Sequence, residues 1–143
     1  MKIAIGADHR GFNHKKFILD AFKNDSAYAF IDVGTDSPER TDYPLYAQKV
    51  VELMHSGQVQ GGILLCGNGV GMAIAANRNS QIYAAVIASV ADAIRAKEDD
   101  NINLLVLPSD YLADDQLIPI IKAWLQARFK GGRYAQRIAM VDK

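Results

Sequence analysis

One cysteine, one tryptophan and four prolines stand in 143 residues, and each scarcity excludes something. Cys66 has no second thiol to pair with, so no disulfide forms within the chain, as expected in a reducing compartment. No apolar run approaches the ~20 residues that a membrane-crossing helix needs. The segment from Met1 to His9 carries a short apolar stretch that meets Asp8 at once. It lacks the charged and long apolar regions of an export signal, so a cytoplasmic protein without a membrane partner is expected. Net charge is also missing, with 16 Lys and Arg against 16 Asp and Glu. A neutral chain has no broad field with which to attract nucleic acid. Arg128, Lys130, Arg133 and Arg137 form a local basic exception.

What is present is an ordinary globular composition, half hydrophobic and 22% charged, in a chain of single-domain size. Lys2 to Gly6, Tyr28 to Val33, Gly62 to Cys66, Ile82 to Ile87 and Leu104 to Leu107 read as strands. Helical spacing runs over Phe12 to Asn24, from Pro44 to Gly57, to about Asn77, over Ala91 to Lys97, Asp114 to Ala127 and Arg133 to Met140. Strands alternate with helices at lengths suited to right-handed crossovers. The strands are short and almost wholly apolar, as in a parallel sheet covered on both faces. The expected fold is a three-layer α/β/α sandwich with a five-stranded parallel sheet, Rossmann-like, as one domain over 1–143. Such sheets take ligands at the C-terminal ends of their strands, where Asp8, His9, Cys66 and Ser89 fall.

The densest signal is Gly61-Gly62-Ile63-Leu64-Leu65-Cys66-Gly67-Asn68-Gly69-Val70-Gly71, a buried strand, a thiol and a glycine turn opening a helix. Glycines let amide groups approach a ligand closely. A helix N-terminus favours anions and lowers the pKa of a nearby thiol. The G-x-G-x-G spacing is not a dinucleotide fingerprint, and the next strand ends in Ile87-Ala88-Ser89 without an acid for a ribose hydroxyl. Gly6 and Gly11 have P-loop spacing, but Phe12 and Asn13 replace the needed Lys and Ser or Thr. A plain tight turn and an anion site therefore both remain open, as do an inert core cysteine and a partly exposed proton carrier at position 66.

His14 and His55 fall on helix surfaces and are expected to be solvated. His9 follows Asp8 at a strand end, where an anion or hydroxyl contact is expected. Two candidate ligands do not make a metal site. Arg133 and Arg137 are four apart and share a helix face, which suits either a phosphate clamp or a solvated charged face.

Together these pieces resemble the ribose-5-phosphate isomerase B family, which includes the galactose-6-phosphate isomerase subunits. The resemblance is carried by Ile5-Gly6-Ala7-Asp8-His9-Arg10-Gly11-Phe12, Asp32-Val33-Gly34-Thr35, Arg40-Thr41-Asp42-Tyr43-Pro44, the Cys66 to Asn77 segment and Gly131-Gly132-Arg133. It implies aldose–ketose isomerisation of a phosphorylated sugar, by default ribose 5-phosphate to ribulose 5-phosphate in the pentose phosphate pathway, without metal or organic cofactor. It implies that Cys66 moves a proton between C1 and C2 through a cis-enediolate, stabilised by amides of Gly67, Asn68, Gly69, Val70 and Gly71. His9, Arg133 and Arg137 match phosphate-contacting positions, and Asp8 and Tyr43 match positions around the sugar. A homodimer or dimer of dimers is implied, with the helix at about 132–141 reaching the partner's site.

The chain also departs from that pattern. Asp99-Asp100 stands where the family usually has His-Asn, so Asp99 takes the place of the ring-opening acid/base and Asp100 that of a substrate contact. A carboxylate accepts a proton but offers no cation near neutral pH unless its pKa changes greatly. Asp110 stands where a second basic residue often follows strand five, and there it is expected to repel phosphate. Ala88-Ser89, Asn68 and Tyr134 differ from the usual residues as well. Three functions follow: the default isomerase, an isomerase of another pentose or hexose phosphate or one subunit of a two-protein enzyme, and a non-catalytic sugar-phosphate binder.

Overall fold

The computed structural model describes residues 1–142; Lys143, the last residue of the expected domain, lies outside them. Five strands are found: β1 (Lys2–Ala7), β2 (Ala29–Asp32), β3 (Gly61–Cys66), β4 (Ala84–Val86) and β5 (Leu104–Pro108). Six α-helices join or follow them: α1 (Phe12–Phe22), α2 (Tyr43–His55), α3 (Val70–Asn77), α4 (Val90–Asp100), α5 (Asp114–Gln126) and α6 (Arg133–Val141). All strand pairs are parallel, in the order β2-β1-β3-β5-β4. The expected α/β/α sandwich is therefore the fold.

Alternation along each strand divides the core into two layers. Ile3, Ile5, Ile63, Leu65, Leu105 and Leu107 face α1, α4 and α5, where they meet Ile18, Phe22, Ala93, Leu117, Ile121 and Trp124. Ala4, Leu64, Leu104 and Val106 face α2 and α3, against Ala47, Val50, Met72 and Ala76. Both faces of the central strands are thus covered, which is why they read as unbroken apolar runs. Trp124, fully embedded, donates its indole N–H to the Ile102 carbonyl at 2.9 Å, so its polar atom is satisfied.

The order of the strands places the site. After β1 the chain turns to α1 on one face, and after the adjacent β3 it turns to α3 on the other. The two connections diverge and leave a crevice beyond the C-terminal ends of β1 and β3.

The element limits differ from expectation at the edges. β2 and β4 are shorter than the apolar runs that suggested them, because an edge strand pairs on one side only. Ser89 is the N-cap of α4, its Oγ accepting from Asp92 N–H at 3.1 Å, rather than a free ligand group. The helix α4 runs on to Asp100, so Asp99 and Asp100 lie on a helix and not in a loop. A short 3₁₀ turn over Ser109–Tyr111, without an apolar period to announce it, follows β5.

Candidate active site

The crevice between β1 and β3 is a cleft of about 390 Å³ lined by Asp8, Arg10, Tyr43, Cys66, Gly67, Asn68, Gly71, Asp110 and Tyr111. Its floor is the end of β3. Cys66 is the last strand residue, in register with Pro108 of β5, and the chain must turn sharply there to enter α3. Gly69 makes that turn with φ of +82°, and its missing Cβ leaves room for Val86, whose Cγ1 would stand 3.0 Å away. Asn68 closes the turn by accepting the Val70 N–H on Oδ1 at 3.0 Å.

This geometry determines what happens to the first amides of α3, which have no helical partner. Met72 and Gly69 aim theirs at the Cys66 sulfur, while Val70 uses the Asn68 side chain. The Gly71 N–H has no protein acceptor among the described residues and is free to meet a ligand oxygen. Tyr43, from the start of α2, lies directly over Gly71; a Cβ there would come within 2.5 Å of the ring.

The thiol itself is more enclosed than the sequence implied. Cys66 is only 5% exposed, although it lines the cleft. Burial pushes its pKa up from the ordinary value of 9.0, against the pull of the Met72 and Gly69 amides, and the carboxylates of Asp8 and Asp110 push the same way. The expected lowering by the helix terminus is therefore corrected: desolvation outweighs the amides, and the unliganded site holds a thiol.

Asp8 is buried and fixed, its Oδ1 accepting the Arg10 N–H at 2.9 Å and the Gly11 N–H at 3.3 Å. His9 is half-buried and does not line the cleft. Its Nδ1 lies 3.2 Å from both the N–H and the carbonyl oxygen of Thr41, which hold the ring in place, and Nε2 has no protein partner among the described residues. His14 is not solvated as expected. It is largely buried between α1 and α5, with Nε2 3.4 Å from Asp114. His55 stays at the surface and meets the Ser80 carbonyl at 2.9 Å through Nε2.

Asp99, Asp100, Arg133 and Arg137 do not line this cleft. They lie on α4 and the neighbouring α6. Asp99 accepts from Lys130 at 2.8 Å and from Arg95 at 3.2 Å. Those bonds, led by that from Lys130, hold its carboxyl below the usual carboxylate range. Asp100 is exposed. The guanidinium groups of Arg133 and Arg137 pack on the Tyr134 ring at 5.1 and 5.6 Å from its centroid, so the tyrosine splays two exposed cations from one helix face. Among the described residues no group of three His, Cys, Asp or Glu side chains is placed to hold a metal.

Sequence reasoning assigned no role to Arg10 or Tyr111 and did not reveal the partner of Asp110. Asp110 is not a bare negative charge: Arg10 donates to it from Nε at 3.2 Å and from Nη2 at 2.6 Å. Arg10 stands two residues after Asp8 at a ligand-binding strand end, a signal that was available. Its partner is a hundred residues away, and only the β1-β3-β5 neighbourhood reveals the pairing.

Comparison with known proteins agrees with this architecture. A family model described as Ribose/Galactose Isomerase matches residues 3–141. Ribose-5-phosphate isomerase B of Escherichia coli K12 is 41% identical over 140 residues, covering 98% of this chain and 93% of that protein. A crystal structure of a ribose 5-phosphate isomerase from Thermotoga maritima superposes with a TM-score of 0.95 at 40% identity, covering 99% of this chain and 97% of the other. The Mycoplasma genitalium ribose-5-phosphate isomerase B, solved with bound ribulose-5-phosphate, gives 0.90 at 34% identity over 98% of this chain and 93% of that one.

Proposed function

Because the chain belongs to the ribose/galactose isomerase family and is a sugar-phosphate isomerase, we propose that it interconverts ribose 5-phosphate and ribulose 5-phosphate with Cys66 as the proton carrier. The observation that carries this reading is the sulfur at the cleft floor, faced by the amides of Gly69 and Met72. Those two donors favour the thiolate and work against the burial that keeps the free thiol protonated.

The thiolate removes the proton from C2 of the open-chain aldose. The C2–H electron pair forms the C1=C2 bond, and the aldehyde oxygen takes the negative charge. The Gly71 amide, with those of Gly67 and Asn68 on the same turn, is suited to hold that oxygen. The Cys66 S–H then returns its proton to C1, the C2 hydroxyl proton passes to the oxygen on C1, and C2 becomes the ketone. Asp8, fixed by two backbone amides, and Tyr43 position the sugar hydroxyls.

The cations for the phosphate come from two places in this reading. His9 offers its Nε2 edge beside the cleft, while Arg133 and Arg137 extend from a second copy of the chain. The exposure of α6, including Met140 and Val141, supports a helix that covers a neighbour. Asp99 would then face that neighbour's site with Asp100. Held ionised by Lys130, it accepts the ring hydroxyl proton as a base, and water supplies the proton to the ring oxygen. This difference from a histidine favours, as a second reading, a phosphosugar other than ribose 5-phosphate.

The test is turnover of ribose 5-phosphate and a panel of pentose and hexose phosphates by the purified chain, repeated with Cys66→Ala. Removing a proton-transferring group is expected to cost about 10²–10⁴-fold in kcat. Turnover that survives in the variant defeats the cysteine mechanism; turnover confined to another sugar selects the second reading.

A further inference from the structure

The cleft beside Cys66 is negatively charged apart from one side chain. Its lining includes the carboxylates of Asp8 and Asp110, and Arg10 is the only cation among its described lining residues. A phosphate monoester carries a charge of about −1.5 to −2 at neutral pH. Two carboxylates alone would repel it.

Arg10 leaves the end of β1 and Asp110 the 3₁₀ turn after β5, and they meet above Gly67, the first residue of the glycine turn. A Cβ on Gly67 would stand 2.7 Å from Arg10 Nε and 2.9 Å from Asp110 Oδ2, so the pair rests on the turn's backbone. The Asp110 N–H also donates to the Gly67 carbonyl at 2.9 Å, which fixes the carboxylate relative to the turn. Arg10 uses one edge of its guanidinium for this contact, the Nε and Nη2 donors at 3.2 and 2.6 Å. Guanidinium presents five N–H donors in a rigid fork. Nη1 has no partner among the described residues, and the side chain is 55% exposed. The side chain is therefore held along one edge and free along the other.

We propose that Arg10, oriented by Asp110, binds the phosphate of the substrate through its free Nη1–Nη2 edge. This rests on the reading of the chain as a sugar-phosphate isomerase. It makes Arg10 a phosphate-binding residue contributed by the same chain as Cys66, and Asp110 the positioning residue that aims it. The negative charge at position 110 then serves anion binding instead of opposing it.

The test uses the intact chain, ribose 5-phosphate kinetics, and inorganic phosphate as competitive inhibitor and calorimetric ligand. Arg10→Gln is expected to raise KM and weaken phosphate binding by about 10- to 100-fold, with kcat changed far less. Arg10→Lys, a point charge without the fork, recovers part of the loss. The double variant Arg10→Gln/Asp110→Asn separates binding from mere neutralisation of Asp110. If Arg10 binds phosphate, the double variant stays weak. If it returns to the wild-type KM and phosphate affinity, Arg10 only masks Asp110 and the proposal is overturned, as it is if Arg10→Gln alone changes neither constant. Should the wild-type chain fail to turn over ribose 5-phosphate, the substrate reading falls, and phosphate titration still decides this one. Binding lost in Arg10→Gln supports it, whereas equal binding, or none by the wild type, overturns it.

Discussion

Cys66 shows two opposing effects on one atom. The start of α3 points amides at the sulfur, and the strand end that carries it is packed in hydrocarbon. Burial prevails, so the thiol is raised above 9.0 in the free protein. The sign of the pH dependence follows. Below that value the protonated, unreactive form dominates, and thiolate grows only as pH rises through it. Alkylation of Cys66 by iodoacetamide is therefore expected to be slow at pH 7 and still accelerating above pH ~9, later than for an unperturbed thiol. A rate that levels off below pH 8 would show the amides prevailing. The rising limb of kcat/KM should follow the same free-enzyme pKa.

At the scale of elements, two glycines of similar sequence context have different duties. Gly11 starts α1 under β3, and a Cβ there would lie 2.5 Å from the Leu65 Cβ and 2.9 Å from its carbonyl carbon and oxygen. A strand backbone in mid-sheet cannot retreat, so Gly11→Ala is expected to destabilise the fold by about 1–3 kcal/mol, read from denaturant midpoints. Gly71 faces only the Tyr43 ring, which is partly exposed and can swing aside. Gly71→Ala should therefore keep a near wild-type midpoint while turnover falls by roughly 10–100-fold, since it displaces the Tyr43 ring, which the proposed function sets against the sugar. Equal effects of the two substitutions on stability would contradict this division. The same logic applies to α4. The cap at Ser89 fixes where the helix starts, and Asn101, with φ of 51°, ends it one residue after Asp100. That length sets Asp99 within reach of Lys130.

At the scale of the whole molecule, the residues implied in catalysis fall on two separate surfaces. Asp8, Tyr43, Cys66 and the glycine turn gather at the switch point, while Asp99, Asp100, Arg133 and Arg137 gather on α4 and α6. Under the proposed function, a second copy would bring the two sets together. Mixing inactive Cys66→Ala chains with inactive Arg133→Ala/Arg137→Ala chains, after unfolding and refolding together, is then expected to restore roughly a quarter of wild-type activity. Half of the dimers would be mixed, with one intact site of two. No recovery would indicate that each cleft works with its own chain's residues alone.

The sequence by itself determined the layers and the floor of the site. Apolar runs of strand length, alternating with amphipathic helices, admit little besides a covered parallel sheet, and Cys66 followed by glycines marks where β3 must turn. These are local properties, set by periodicity and by the backbone freedom of particular residues. Tertiary structure decided the rest: that the thiol is enclosed, that Asp110 is paired with Arg10, that His14 is largely covered by α5, and that Asp99 is held by Lys130. Each of these depends on which distant elements become neighbours. Solvation and charge pairing are properties of that neighbourhood, and no local pattern in the chain encodes them.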